Sequence, residues 1–258
     1  MKSLRLLTIV AALSLSACAS NPSSPYDPYE PFNRSMYNFN STLDRNVIKP
    51  AAEGYRTVTP KPFRTAVGNF YGNMKDVFSL LSNTLRAEPE KALNDLMRVS
   101  INSTFGLFGL IDIATPAGLV KNRTTLGDTF ASWGWKNSNY LMLPFFGPST
   151  VRDGSGLGIS LSIPGPEKLI YDTLPQAAGF YGLYGVNERE RLLGLEQQID
   201  ESSLDAYTFT RDAYMHMRAK QTGAVLPQDT DEEEINIDDL VGAPQASAPV
   251  AAPPVPKP

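Results

Sequence analysis

Val67-Gly-Asn-Phe-Tyr-Gly-Asn-Met-Lys-Asp-Val-Phe-Ser-Leu-Leu-Ser-Asn-Thr-Leu85 is the stretch that decides the fold class. Its apolar side chains fall at Val67, Phe70, Tyr71, Met74, Val77, Phe78, Leu81 and Leu85. Steps of three and four are the period of a helix with one apolar face, and here they persist for about five turns. Downstream, Pro89 suits the first turn of another helix, with Ala92, Leu93, Leu96, Met97, Ser100 and Ile101 on one face. Upstream, Phe32, Met36, Phe39, Leu43 and Val47 repeat at helical spacing behind Asp27, which reads as a capping residue. Pro50, Pro60 and Pro62 are expected to interrupt that pattern. A last amphipathic region starts at Asn187, read as an N-cap with Glu188 and Glu190 behind it. It carries Leu192, Leu195, Ile199, Leu204, Tyr207, Arg211 and Tyr214 towards Gly223, with a break expected near Ser202-Ser203. No stretch alternates with period two for long enough to make a strand. The fold class expected is all-α, with long irregular connections.

The N-terminus carries a different signal. Lys2 and Arg5 precede an apolar run from Leu6 to Leu15, which ends in Leu15-Ser-Ala-Cys18 with the chain's single cysteine. A cationic start, a short apolar segment and small residues at the cut describe a secretory signal peptide, and the tetrapeptide has the pattern of a bacterial lipobox. The run is too short to span a bilayer. Residues 1–17 are therefore expected to be removed and Cys18 to carry diacylglycerol and acyl chains. Each buried methylene contributes about 0.8 kcal/mol, so two or more chains suffice for stable attachment. Ala19 follows the cysteine, and no Asp stands there as an inner-membrane retention signal. The destination expected is the periplasm-facing leaflet of the outer membrane. Residues 18–26 read as the lipidated linker, 27–226 as the helical domain and 227–258 as a disordered tail.

Charge divides the rest. Residues 18–227 hold 20 basic and 20 acidic side chains, a neutral body with no basic stripe, which argues against nucleic acid as a partner. The tail has an acidic run over 229–239 and an Ala/Pro-rich end over 243–258, a composition that cannot bury a core. From Val99 to Asn187 only 10 of 89 residues are charged, against 18 of 81 from Cys18 to Arg98. Glycine, proline and aromatics fill that middle, as in Phe105-Gly-Leu-Phe-Gly-Leu-Ile-Asp-Ile113, Leu143-Pro-Phe-Phe-Gly-Pro148 and Gly179-Phe-Tyr-Gly-Leu-Tyr-Gly185. None is a spanning helix. Each by itself reads as core; the block as a whole reads equally as a surface against lipid, with Phe105, Leu107, Phe108, Leu110 and Ile111 as candidate membrane-contact residues. Asp112, the acid in the first of these runs, is expected to cap or to hydrogen-bond within it.

Catalytic chemistry finds little material. There is one histidine, His216, and no Gly-x-Ser-x-Gly elbow. A zinc site built from His and Cys is excluded by count. The glycine-rich Gly154-Ser-Gly-Leu-Gly158 lacks the strand-then-helix context of a phosphate loop. No catalytic residues, no metal and no cofactor are expected, apart from the covalent lipid on Cys18.

Four blocks in order resemble the MlaA (VacJ) family of outer-membrane lipoproteins. They are Asp27-Pro-Tyr-Glu-Pro-Phe-Asn-Arg-Ser-Met-Tyr-Asn-Phe-Asn40 with Asp44, then Gly68-Asn-Phe-Tyr-Gly-Asn73, then Ile101-Asn-Ser-Thr-Phe-Gly-Leu-Phe-Gly-Leu-Ile-Asp-Ile-Ala114. The fourth runs from Gly127 through Trp133-Gly134 to Tyr140-Leu-Met-Leu-Pro-Phe-Phe-Gly-Pro-Ser-Thr-Val-Arg-Asp153. Trp135-Lys-Asn-Ser-Asn139 stands where the family usually has glycines, and Ala131 where Gly is common, which implies a stiffer or differently shaped loop. The resemblance implies a single ring-like helical domain seated in the inner leaflet of the outer membrane beside a trimeric porin. Its amphipathic channel would pass mislocalised phospholipid from the outer leaflet to a soluble, MlaC-like periplasmic carrier. Phe32, Asn33, Arg34, Asn38, Phe39 and Asn40 are the candidate lipid-path or motif residues, with Arg34 placed to meet a phosphate. The alternative is a scaffolding lipoprotein that binds porins without moving lipid.

Overall fold

The computed structural model describes residues 24–163, 165–194 and 205–226. The expected signal peptide, Cys18, the expected break near Ser202-Ser203 and the expected tail lie outside the described residues, as does most of the expected linker. Eight α-helices and one hairpin are present among those described: α1 (Glu30–Leu43), α2 (Lys49–Val58), α3 (Lys61–Leu85), α4 (Pro89–Thr104), α5 (Leu126–Ser132), β1 (Tyr140–Leu143), β2 (Gly147–Thr150), α6 (Val151–Ser162), α7 (Leu174–Leu192) and α8 (Ala206–Thr222). The all-α expectation holds.

Four local expectations fail, each for a physical reason. Pro50 does not end the first helix. A π-turn over Asp44–Ile48 joins α1 to α2, and its wider hydrogen bond, from the Lys49 amide to the Asp44 carbonyl, makes room for the proline ring. Arg189 clamps the turn with two bonds to Asp44, at 2.8 and 3.0 Å. Pro60 does break the chain, with Thr59 extended before α3. Asp27 is not a cap; Tyr29 holds that position, and Asp27 is buried. Nor is Asn187 a cap: it lies buried inside α7, which opens at Leu174 with Gln176 accepting the Thr173 amide at 3.2 Å. The glycine-rich run 179–185 is thus helical. Finally, β1 and β2 form an antiparallel pair, Tyr140 opposite Thr150 and Leu143 opposite Gly147, too short for alternation to reveal.

Packing runs in a closed circuit. α1 lies on β1, the hairpin on α6, α6 on α5, α5 on α3 and α3 on α7; α7 returns to α2 and to the π-turn that continues α1. α4 packs antiparallel on α3, and α8 rests on β2 and α5. Where α5 and α6 meet, a Cβ on Gly156 would come within 2.6 Å of the Gly127 amide nitrogen, so glycine sets how close they approach. The apolar cluster is small: Tyr26, Tyr140, Met142, Tyr207 and Met215, between the hairpin and α8.

Candidate functional site

Amphipathicity in α4 is turned inside out. Its apolar ridge of Leu93, Leu96 and Met97 is exposed, Leu93 by 58%, while Asp95, Arg98 and Asn102 on the other face are buried. α3 repeats the pattern, burying Asn73, Asp76, Ser79, Ser82 and Asn83 and exposing Leu81 and Leu85. Nineteen polar or charged side chains are buried among the described residues, against eleven apolar ones. A water-soluble domain ordinarily buries its apolar faces; in α3 and α4 the distribution is reversed.

Most of the buried polar groups are paired, which is what makes their burial tolerable, though Ser82 Oγ, Asn73 Oδ1, Asn83 Oδ1 and Asn187 Nδ2 among others have no partner among the described residues. Arg98, 1% exposed, donates to Asp76 at 2.9 Å, to Thr115 Oγ1 at 3.2 Å and to the Leu119 carbonyl at 2.7 Å. Asp95 accepts from Ser79, Asn83 and Asn122 at 2.7 to 2.8 Å. Burial pushes the Asp76 carboxyl up from its ordinary value, despite the Arg98 guanidinium beside it. At Asp112 burial also opposes ionisation, but hydrogen bonds from Lys121 and Thr115 outweigh it and hold that carboxyl well below the usual range.

This network braces the tip at 105–111. Asn102 Oδ1 accepts the amides of Ile113 and Ala114, at 2.8 and 2.9 Å. The amides of Phe108, Gly109, Leu110 and Ile111 bond to carbonyls of residues 102–107, and Asn69 donates to the Leu110 carbonyl at 3.2 Å. Leu107 and Phe108 take left-handed backbone angles, φ 52° and 57°, and Gly109 takes φ 90° against Asn73. With its backbone satisfied, the tip throws every candidate membrane-contact side chain outward: Phe105, Leu107, Phe108, Leu110 and Ile111 are all exposed, Phe108 by 79%. A second apolar tip, Phe145-Phe146 between β1 and β2, is equally exposed, and Phe39 meets Phe145 edge-on at 5.4 Å. Its only signal in the sequence was the Leu-Pro-Phe-Phe-Gly run.

The candidates over 32–40 are scattered in role. Phe32, Asn38 and Phe39 are exposed. Asn33 is buried, donating to Asp27 at 2.8 Å and to the Tyr140 carbonyl at 3.3 Å and accepting the Met142 amide at 2.8 Å. Asn40 bonds both the Leu143 carbonyl and the Phe145 amide, at 2.9 Å each. Arg34 engages Glu30 at 2.7 Å and Asp205 at 3.2 and 2.7 Å, and lies over the Tyr207 ring. These three side chains hold the hairpin and α8 to α1. His216 is exposed on α8. Among the described residues no three His, Cys, Asp or Glu side chains come together as a metal site, and no helix is long and apolar enough to cross a membrane.

The same architecture occurs in known proteins. The MlaA lipoprotein family model matches residues 25–221. The "Intermembrane phospholipid transport system lipoprotein MlaA" of Escherichia coli strain K12 is 32% identical over 215 residues, covering 81% of this chain and 84% of its own. The protein of that name from Haemophilus influenzae is 30% identical over 231 residues, covering 83% and 88%. A solved structure, described as the structural basis for maintenance of bacterial outer membrane lipid asymmetry, superposes with a TM-score of 0.66 at 30% identity, covering 76% of this chain and 98% of that one. Matched along most of its length and in fold, the chain belongs to the MlaA lipoprotein family.

Proposed function

We propose that the protein takes mislocalised phospholipid out of the outer leaflet of the outer membrane and passes it through an amphipathic channel to a soluble, MlaC-like periplasmic carrier. It thereby maintains lipid asymmetry. The observation that carries this reading is the reversed burial: apolar ridges and tips outside, polar groups inside, most of them paired. An apolar rim replaces lipid contacts, and a polar interior solvates a headgroup in transit. The closed circuit of helix contacts supports a ring around such a path. Acyl chains on Cys18 fix the protein at the periplasm-facing leaflet, and a trimeric porin completes the membrane side. The names of its relatives, which specify intermembrane phospholipid transport, point the same way.

A strain lacking the protein is expected to accumulate phospholipid in the outer leaflet and to become sensitive to detergent with EDTA. Purified protein in bilayers should move labelled phospholipid to the carrier. A deletion strain with neither defect, or a reconstitution with no transfer, leaves a porin-binding scaffold instead.

A further inference from the structure

A half-open cleft of about 300 Å³ lies where the chain emerges at Pro25 and returns at Leu226, beside the hairpin and the last turns of α8. Among the described residues its lining includes Lys136, Arg152 and Arg218 and no carboxylate; Arg152 is buried and both arginine heads are engaged, so the exposed Lys136 supplies the free charge. Asp153 and Asp128, which pair with the two arginines, are not part of the wall. Lys136 has no ion-pair partner among the described residues, and it is exposed. Apolar groups are also part of the lining, among them Val151, Met215, Val225 and Leu226.

The loop that supplies Lys136 is the one that departs from the family's glycines, and the structure holds it rigidly. The Arg152 guanidinium donates to the Trp135 and Lys136 carbonyls at 3.2 and 2.6 Å, and the Arg152 amide donates to Ser138 Oγ at 2.9 Å. The Val225 amide donates to Asn137 Oδ1 at 3.3 Å. The clamped backbone is already ordered, so an anion that meets this cation has only the lysine side chain left to order. From this partly apolar cleft, with the exposed, unpaired Lys136 at its wall, we infer a binding site for the phosphodiester headgroup of a glycerophospholipid. The volume is at the lower end of small-molecule sites, roughly 300–1,000 Å³, so it suits a headgroup with its glycerol and leaves the acyl chains outside. Pro25 stands seven residues from Cys18, so the cleft is within roughly 25 Å of the acyl anchor, on the reach of an extended chain. The choice of a lipid as ligand rests on the transport reading above.

The chain's two tryptophans are Trp133 and Trp135, so Trp133→Phe in the full-length lipoprotein leaves a reporter in the wall of the cleft. In mild detergent, dihexanoyl phosphatidylglycerol below its micellar concentration should change Trp135 emission saturably. Lys136→Glu in that background should weaken the response at least tenfold, with thermal melting unchanged. No saturable response, or an unchanged response in the lysine variant, overturns the site. Inorganic phosphate binding as tightly as the lipid makes it a free-anion site and overturns the lipid assignment. Bilayer-to-carrier transfer by the unsubstituted protein is measured in parallel and decides the transport reading separately, so a silent cleft with intact transfer sinks the cleft alone.

Discussion

Asn33 shows how much one side chain decides. Its amide reaches Asp27 on one side and the β1 backbone on the other, while Asp27 also takes the Tyr207 hydroxyl from α8. A helix, a strand and the last helix are thereby tied through two buried residues. Asn33→Ala would strand the Met142 amide and remove a donor from a buried carboxylate, at about 1–3 kcal/mol for each group left unsatisfied. We expect a loss of about 3 kcal/mol, read as a lowered melting temperature in detergent; a shift under 1 kcal/mol would mean that water replaces the amide. Asn33, Arg34 and Asn40 stood out in the sequence as polar groups on an aromatic helix. Their partners on the hairpin and at the start of α8 are 103 to 171 residues away, and no local pattern carries that information.

Among the elements, α8 is held by charge as well as by the apolar cluster at Tyr207 and Met215. Arg218 reaches Asp153 at 2.7 and 2.9 Å and Asp128 at 2.9 Å, tying α8 to α6 and α5. Burial opposes ionisation of Asp153, yet Arg218 and Arg152 prevail and hold its carboxyl below the ordinary value. A depressed carboxylate stabilises the fold fully above the unfolded value, about 3.9, and loses that contribution as pH falls towards the folded one. The melting temperature should therefore drop below about pH 4, and Asp153→Asn should flatten that drop while lowering stability at pH 7. A variant with an undiminished acid transition would assign the drop to other carboxylates. The helices built on a 3.6-residue pattern, α1, α3, α4 and α8, were legible because periodicity is local. α7 was not, since Gly179-Phe-Tyr-Gly-Leu-Tyr-Gly185 is apolar all round and carries no stripe to recognise. The four-residue strands were equally invisible, because the alternation β1 shows is too short to stand out and only pairing marks it.

For the molecule as a whole, the outer surface matters most. Phe108→Asp places a charge on a side chain that touches almost nothing of the protein, so stability in detergent should change by under about 0.5 kcal/mol. Yet a charge in lipid costs several kcal/mol, and the strain carrying the variant should accumulate outer-leaflet phospholipid as a deletion does. Wild-type asymmetry in that strain would place the tip in water.

The sequence by itself determined the helical class, the expected acyl anchor at Cys18, the charge-poor middle and the family blocks, all properties of neighbouring residues. Which way each helix turns its apolar face was decided only by the tertiary structure. Periodicity states that α4 has an apolar ridge at Leu93, Leu96 and Met97; it is silent on whether that ridge meets protein or lipid. The direction follows from distant partners, such as Asp76 and Thr115 for Arg98, which draw the charged face inward once they are assembled around it.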